Sequence, residues 1–151
     1  MTFDLVPAAQ VHGEALAAMH HICFRDPWSA AAFQSSLGLP TTRGLIAQST
    51  DKGPGGLVLW SVVADQAEIL TIAVLPPYRR HGLGRGLLAA AWEDARASGA
   101  VEMFLEVAAD NTAAQRLYAE FGFVEYARRK GYYQPDVDAI LMKKTEDARD
   151  G

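Results

Sequence analysis

One cysteine, Cys23, is the whole thiol content of the 151-residue chain. An internal disulfide is therefore excluded, and no Cys/His spacing has the form of a zinc site, so no metal is expected. Long apolar runs are missing as well; none approaches the ~20 residues that a membrane-crossing helix requires. The opening Met1-Thr2-Phe3-Asp4 has neither the basic segment nor the apolar stretch of a secretory leader. A reducing, cytoplasmic setting with no membrane partner is the expectation. Charge of one sign is in no large excess either: 14 Lys+Arg stand against 18 Asp+Glu, a net charge of −4. An acidic chain is no general coat for nucleic-acid phosphates, and direct nucleic-acid binding is not expected. No internal repeat is visible. What is present is 50% hydrophobic and 21% charged, a composition that buries a core and excludes a disordered chain. A single domain is placed at 1–144, followed by a flexible polar tail from Thr145 to Gly151, and a monomer or weak dimer is expected.

Hydrophobic spacing divides that domain. Phe3, Leu5 and Val6 read as a first strand, and Val11, Ala15, Leu16 and Met19 recur at helical spacing between Ala8 and His21. Asp26-Pro27-Trp28 breaks the chain, and Ser29 is placed to cap a second helix as far as Leu37. Leu45 to Gln48 is a weak strand, and Asp51 to Gly56 reads as a loose hairpin loop. Leu57 to Val63 and Glu68 to Val74 are strong strands joined tightly at Asp65 and Gln66. A helix then carries Leu87, Leu88, Ala91, Trp92 and Ala95 on one face and ends at Gly99. Val101 to Val107 is a strand, and Asp110 or Asn111 caps a short helix closed by Gly122. Strands near Phe123 to Arg129 and Ala139 to Lys143 complete the domain. The order β-α-α-β-β-β-α-β-α-β-β predicts an α+β fold, a mixed sheet with helices on its faces.

The stretch Val74-Leu75-Pro76-Pro77-Tyr78-Arg79-Arg80-His81-Gly82-Leu83-Gly84-Arg85 joins the end of a strand to the start of an amphipathic helix. Free backbone N–H groups and the positive end of the helix dipole make such a junction an anion site. Glycines at 82 and 84 would let a phosphate approach the backbone. Arg79, Arg80 and Arg85 add three cations to a net acidic chain, and beside a helix N-terminus they help only when a negative partner arrives. A solvated, merely turning loop is the plainer alternative. Two nucleotide patterns fail. No Gly-Lys-Ser/Thr follows the first glycine, and the third position of Gly-x-Gly-x-x-Gly is Leu87.

The run Arg79-x-x-Gly82-x-Gly84 after Ile72-Ala73-Val74 resembles the acetyl-CoA diphosphate loop of the GNAT N-acetyltransferase superfamily. Asn111-Thr112-Ala113-Ala114, Leu117-Tyr118 and Gly122-Phe123 resemble the second half of that core. With Arg25-Asp26-Pro27-Trp28-Ser29 and Arg128 to Tyr133, the whole chain from Phe3 to Lys144 is similar to the RimI branch. That branch acetylates the N-terminal alanine of a small-subunit ribosomal protein. The resemblance implies a GNAT fold, a mostly antiparallel sheet flanked by about four helices. It implies acetyl-CoA as co-substrate, held by Ile72, Ala73, Val74, Arg79, Arg80, His81, Gly82, Leu83, Gly84, Arg85 and Asn111. The strand at Ile72 to Val74 would splay from its neighbour, and a backbone N–H near Val74 would hold the developing oxyanion. Other GNAT acceptors, a small amine or a lysine, stay open, as does a CoA-binding sensor without catalysis.

Residue chemistry narrows the candidates. Strand alternation puts Glu102, Phe104 and Glu106 opposite Met103, Leu105 and Val107. Glu106 reads either as an exposed or paired charge, or as a general base whose pKa desolvation raises; the resemblance assigns it the base. Tyr118 reads as a core aromatic or as an acid, a phenol of pKa ~10 that can protonate a thiolate whose thiol titrates near ~8.5; the resemblance assigns the acid. Asn111 is a helix cap, a cofactor contact, or both. By the same resemblance Trp28, Tyr132 and Tyr133 are candidate walls of the peptide groove. Cys23 reads as a buried thiol and Arg128 to Lys130 as a solvated strand end.

Overall fold

The strands and helices follow the predicted order. A computed structural model describes residues 2–146. In it β1 is Phe3–Pro7, α1 Gly13–Cys23, α2 Ala30–Leu37, β2 Thr42–Ser49, β3 Gly53–Val63, and β4 Gln66–Val74. They are followed by α3 Leu83–Ala97, β5 Glu102–Ala108, α4 Thr112–Glu120, β6 Val124–Gln134 and β7 Val137–Thr145. The seven strands form one sheet in the order β1-β2-β3-β4-β5-β7-β6. Every neighbouring pair is antiparallel except β4 and β5. The predicted mixed sheet with four flanking helices is thus present.

Each face has its own core. On one side Leu87, Leu88 and Trp92 of α3 pack with Met103, Leu105 and Phe123. On the other, Leu16 and Met19 of α1 and Phe33 of α2 cover Leu57 and Leu59. Local chemistry fixes the helix starts. Ser29 Oγ accepts from the Ala32 amide at 3.1 Å, and Asn111 Oδ1 accepts from the Ala114 amide at 3.1 Å. Such caps satisfy one orphan donor each, about 1 kcal/mol.

Several boundaries differ from the sequence reading. The glycines of the supposed loop open β3, and only the 50–52 stretch turns. At Gly53 the reason is a left-handed φ of 78°; at Gly55 it is space. A Cβ on Gly55 would lie 2.6 Å from Phe3 Cε1 and 2.9 Å from Tyr78 Cδ2, two rings that meet edge to face. The β3–β4 connection is Ala64-Asp65, with Ala64 in the left-handed region at φ 55°. The last hairpin is longer than predicted, because β6 is an edge strand exposed along most of its length and shows no apolar alternation to read. Thr145 belongs to β7, and Glu146 donates its amide to Val101 O at 2.8 Å and pairs with Arg96. The remainder of the expected tail, 147–151, lies outside the described residues.

Candidate active site

The parallel pair that breaks the antiparallel pattern also makes the site. β4 and β5 pair at only three positions, from Gln66↔Glu102 to Glu68↔Phe104, and then part. A bulge at Leu70 contributes: Trp60 faces Ile69, Leu59 faces Thr71, and one residue of β4 is left over. The bulge reverses the alternation of β4, so Ile69 before it and Ile72 after it both meet the α3-side core. The wedge holds a cavity of about 570 Å³, lined by β4 from Ile69 to Ile72, β5 from Leu105 to Ala108, the α1–α2 segment, α4, and the β6–β7 hairpin.

Six of the predicted residues line this one cavity: Glu106, Tyr118, Ile72, Asn111, Trp28 and Tyr133. The others lie outside it. Tyr132 is exposed, edge-on to Tyr133 at 5.2 Å and beneath Arg129 at 5.2 Å. Ala73 turns its methyl into the α1–α2 core. Arg79 is exposed, and its Nε donates to Val74 O at 2.8 Å. Arg80 sits in the left-handed region at φ 66°, exposed together with His81. Gly82 is the N-cap of α3 at φ 79°, with nothing within 4 Å of where a Cβ would stand. Gly84 serves packing first, since its Cβ would come 3.0 Å from Leu117 Cδ2 of α4. Leu83 packs on the α3-side core, and the Arg85 guanidinium lies 5.6 Å from the Phe121 ring centre.

Main-chain groups complete the picture. Helical bonding in α3 begins with the Gly86 amide on Gly82 O, 3.0 Å, so the amides of Leu83, Gly84 and Arg85 have no acceptor within the helix. They sit at the end of the molecule to which β4 leads. The Leu75 amide is spent on Gly55 O of β3 at 2.9 Å. By alternation Val74 presents its N–H and C=O to the open edge, where Arg79 takes the carbonyl.

The electrostatics run as a chain from the sheet face inward. Glu106 is exposed rather than desolvated, with Oε1 3.4 Å from Arg129 Nη1. An exposed pair of this kind is worth about 0–1 kcal/mol, so an incoming ammonium competes with it easily. The carboxyl raised on this face is Glu68, through loss of surrounding water and then the charge of Glu106. Tyr133 is raised by burial and by Glu106. Tyr118, 7% exposed, is raised further, mainly by burial. Glu68, His20 and Thr71 were given no role by the sequence reading, and Arg129 was read only as part of a solvated strand end. Strand alternation could have found Glu68, which shares a sheet face with Glu106; nothing local marks the others.

A family model described as Acetyltransferase (GNAT) family matches residues 13–123. The chain belongs to the GNAT acetyltransferase family. Among its relatives is the Escherichia coli K12 ribosomal protein bS18-alanine N-acetyltransferase, 39% identical over 134 residues, 84% of this chain and 88% of that one. The crystal structure of the Escherichia coli ribosomal-protein-S18-alanine N-acetyltransferase superposes with a TM-score of 0.88 at 29% identity, covering 95% of this chain and 94% of that one. Arabidopsis thaliana NAA60 in complex with acetyl-CoA shares the fold, with a TM-score of 0.85 at 20% identity over 95% of this chain and 98% of that one. The GNAT resemblance read from the loop and the Asn111 to Phe123 run is therefore correct, and the splayed β4–β5 pair it implied is present.

Proposed function

We propose that this GNAT enzyme carries the acetyl group of acetyl-CoA directly to the N-terminal alanine amine of a small-subunit ribosomal protein, with both substrates bound together. The observation that carries the reading is the β4–β5 wedge, in which a carboxylate, Glu106, and a buried phenol, Tyr118, line one cavity. Kinship with the bS18-alanine N-acetyltransferase of Escherichia coli supports the choice of acceptor. A ribosomal substrate places the work in the cytoplasm.

The residues fit the co-substrate. Amides at Leu83, Gly84 and Arg85, backed by the α3 dipole and the exposed Arg80–Gly82 loop, suit a diphosphate. The β4 edge from Ile72 to Val74 has lost its strand partner and can bond the amides of the pantetheine arm as an added strand would. Asn111 lies at the cavity rim to receive the same arm.

Each remaining group then has one task. Arg79 holds the Val74 peptide in place, and the Val74 N–H steadies the negative charge that grows on the thioester oxygen. Glu106, through a water, takes the proton of the acceptor ammonium. An α-amine titrates at ~7.7–8.0, so this removal needs far less help than a lysine at ~10.4. The amine attacks, the carbon–sulfur bond breaks, Tyr118 gives its proton to the departing sulfur, and the second proton of the nitrogen, lost as the amide forms, restores the phenol. Trp28 and Tyr133 wall the acceptor side, with Tyr132 at its margin. Holding two substrates in register supplies much of the acceleration.

A four-member panel tests the reading: an alanine-initiated ribosomal peptide, the same peptide with a blocked N-terminus, a lysine peptide and a polyamine, each with acetyl-CoA. Acetylation of the first alone is expected. Transfer to lysine or polyamine in preference to the free alanine would overturn the acceptor.

A further inference from the structure

Deepest on the acceptor side of the cavity sits His20 of α1, 2% exposed and unused by the chemistry above. Three aromatic rings enclose it: Phe24 stacked at 4.2 Å, Phe33 edge-on at 5.3 Å, and Trp28 tilted at 5.6 Å. Both ring nitrogens are engaged. The Trp28 backbone N–H donates to Nδ1 at 2.9 Å, and Nε2 lies 2.8 Å from Thr71 Oγ1. These two contacts fix the proton. Nδ1 faces a donor and must be bare, so the hydrogen is on Nε2 and is donated to Thr71. The hydroxyl of Thr71 thereby keeps its own proton for another acceptor, and Thr71 lines the cavity at the β4 bulge.

We propose that His20 is a positioning residue for the acceptor: as its Nε2–H tautomer it ties the Trp28 wall to the bulge of β4 and leaves the Thr71 hydroxyl as a donor for a carbonyl of the incoming peptide. The proposal rests on the acceptor-side reading of the cavity given above. The chain of donors runs one way, from the Trp28 N–H to Nδ1, from Nε2–H to Oγ1, and from the Thr71 hydroxyl into the cavity. Trp28 follows directly on Pro27 in the segment between α1 and α2, and its N–H on Nδ1 ties that segment to α1 alongside the packing of its ring on Phe33 at 5.0 Å. Burial pulls the imidazole down to about 4, and the ring is neutral wherever the acceptor amine is free to react. A phenylalanine at this position would preserve the ring packing and remove both bonds.

Two variants and one spectrum test it on the full chain. His20→Phe should raise the KM for an alanine-initiated peptide roughly tenfold, the scale of one to two lost hydrogen bonds, while the KM for acetyl-CoA stays within about twofold. In His20→Asn the amide oxygen stands where Nδ1 stood, and much of the loss should return. An unchanged acceptor KM in His20→Phe, a parallel rise in both KM values, or an asparagine no better than phenylalanine would overturn the proposal. The activity-independent readout is a long-range proton–nitrogen correlation spectrum of the ligand-free protein. It should show His20 protonated at Nε2; a proton at Nδ1 sinks the proposal whatever the kinetics. If the parent acetylates no alanine-initiated peptide, the functional reading fails, and the spectrum together with slow exchange of the Trp28 amide still decides the tie.

Discussion

Replacing Tyr118 by phenylalanine isolates a single hydroxyl. The ring keeps its seat in the α3-side core and its edge contact with Phe123, 6.1 Å between centres. Folding stability should therefore change by no more than about 1 kcal/mol, the net worth of one hydroxyl. Burial raises this phenol above its ordinary value, so it stays protonated, and competent as an acid, through about pH 9. A raised donor would match poorly with a thiolate near ~8.5 in water, but a thiolate released beside the buried phenol is raised by the same loss of water. A positioned acid contributes about 10²–10⁴-fold. Tyr118→Phe should accordingly lower kcat by roughly 10²–10³, about 2.7–4.1 kcal/mol of transition-state stabilisation. The assay follows thiol release from acetyl-CoA with an alanine-initiated peptide, beside calorimetric binding of acetyl-CoA. Binding should hold within about twofold. A variant with the parent's kcat refutes the acid role, and so does one that loses acetyl-CoA affinity in step with rate, since the hydroxyl would then be a binding group.

Glu106→Gln should lose about tenfold in kcat/KM near pH 7, the neutral fraction of an amine titrating near ~8, and converge on the parent above about pH 9. A constant ratio across pH would count against the base. Gly82→Ala, forced to keep φ 79°, should lose about 1–2 kcal/mol of stability and weaken CoA binding measured calorimetrically. Gly84→Ala meets Leu117 at 3.0 Å and should also weaken CoA binding; unchanged affinity in both would remove the loop from the site. For His20, held to about 4 when folded against ~6.5 unfolded, protonation favours the unfolded chain. Stability should be full above about pH 6.5 and fall as pH drops towards 4, and denaturant titrations of His20→Phe should show a shallower fall.

Much of this was legible because it is local. Ser29 and Asn111 cap helices by chemistry confined to four residues, and the Met103, Leu105, Val107 alternation needs only one strand. The loop from Arg79 to Arg85 was readable for the same reason. What escaped depends on partners distant in sequence. The glycines at 55 and 56 look like a turn until Phe3 and Tyr78 are placed against the first and the Ala73 carbonyl against the second. That Arg79 also bonds the main chain is invisible until the Val74 carbonyl is known to face the open edge. Glu106 was expected to be desolvated, but α1 and α2 cover that face over β3 and β4, and at β5 Arg129 of β6 reaches Glu106 instead. The bulge at Leu70, which reverses the faces of β4 and brings Thr71 to His20, leaves no glycine, proline or turn signal in the strand.

The most direct test is a crystal structure with coenzyme A bound. The diphosphate should rest on the amides of Leu83, Gly84 and Arg85, with the pantetheine arm along Ile72 to Val74 and the sulfur inside the β4–β5 wedge beside the Tyr118 hydroxyl. A diphosphate bound elsewhere, or a sulfur out of reach of the Tyr118 hydroxyl, would contradict it.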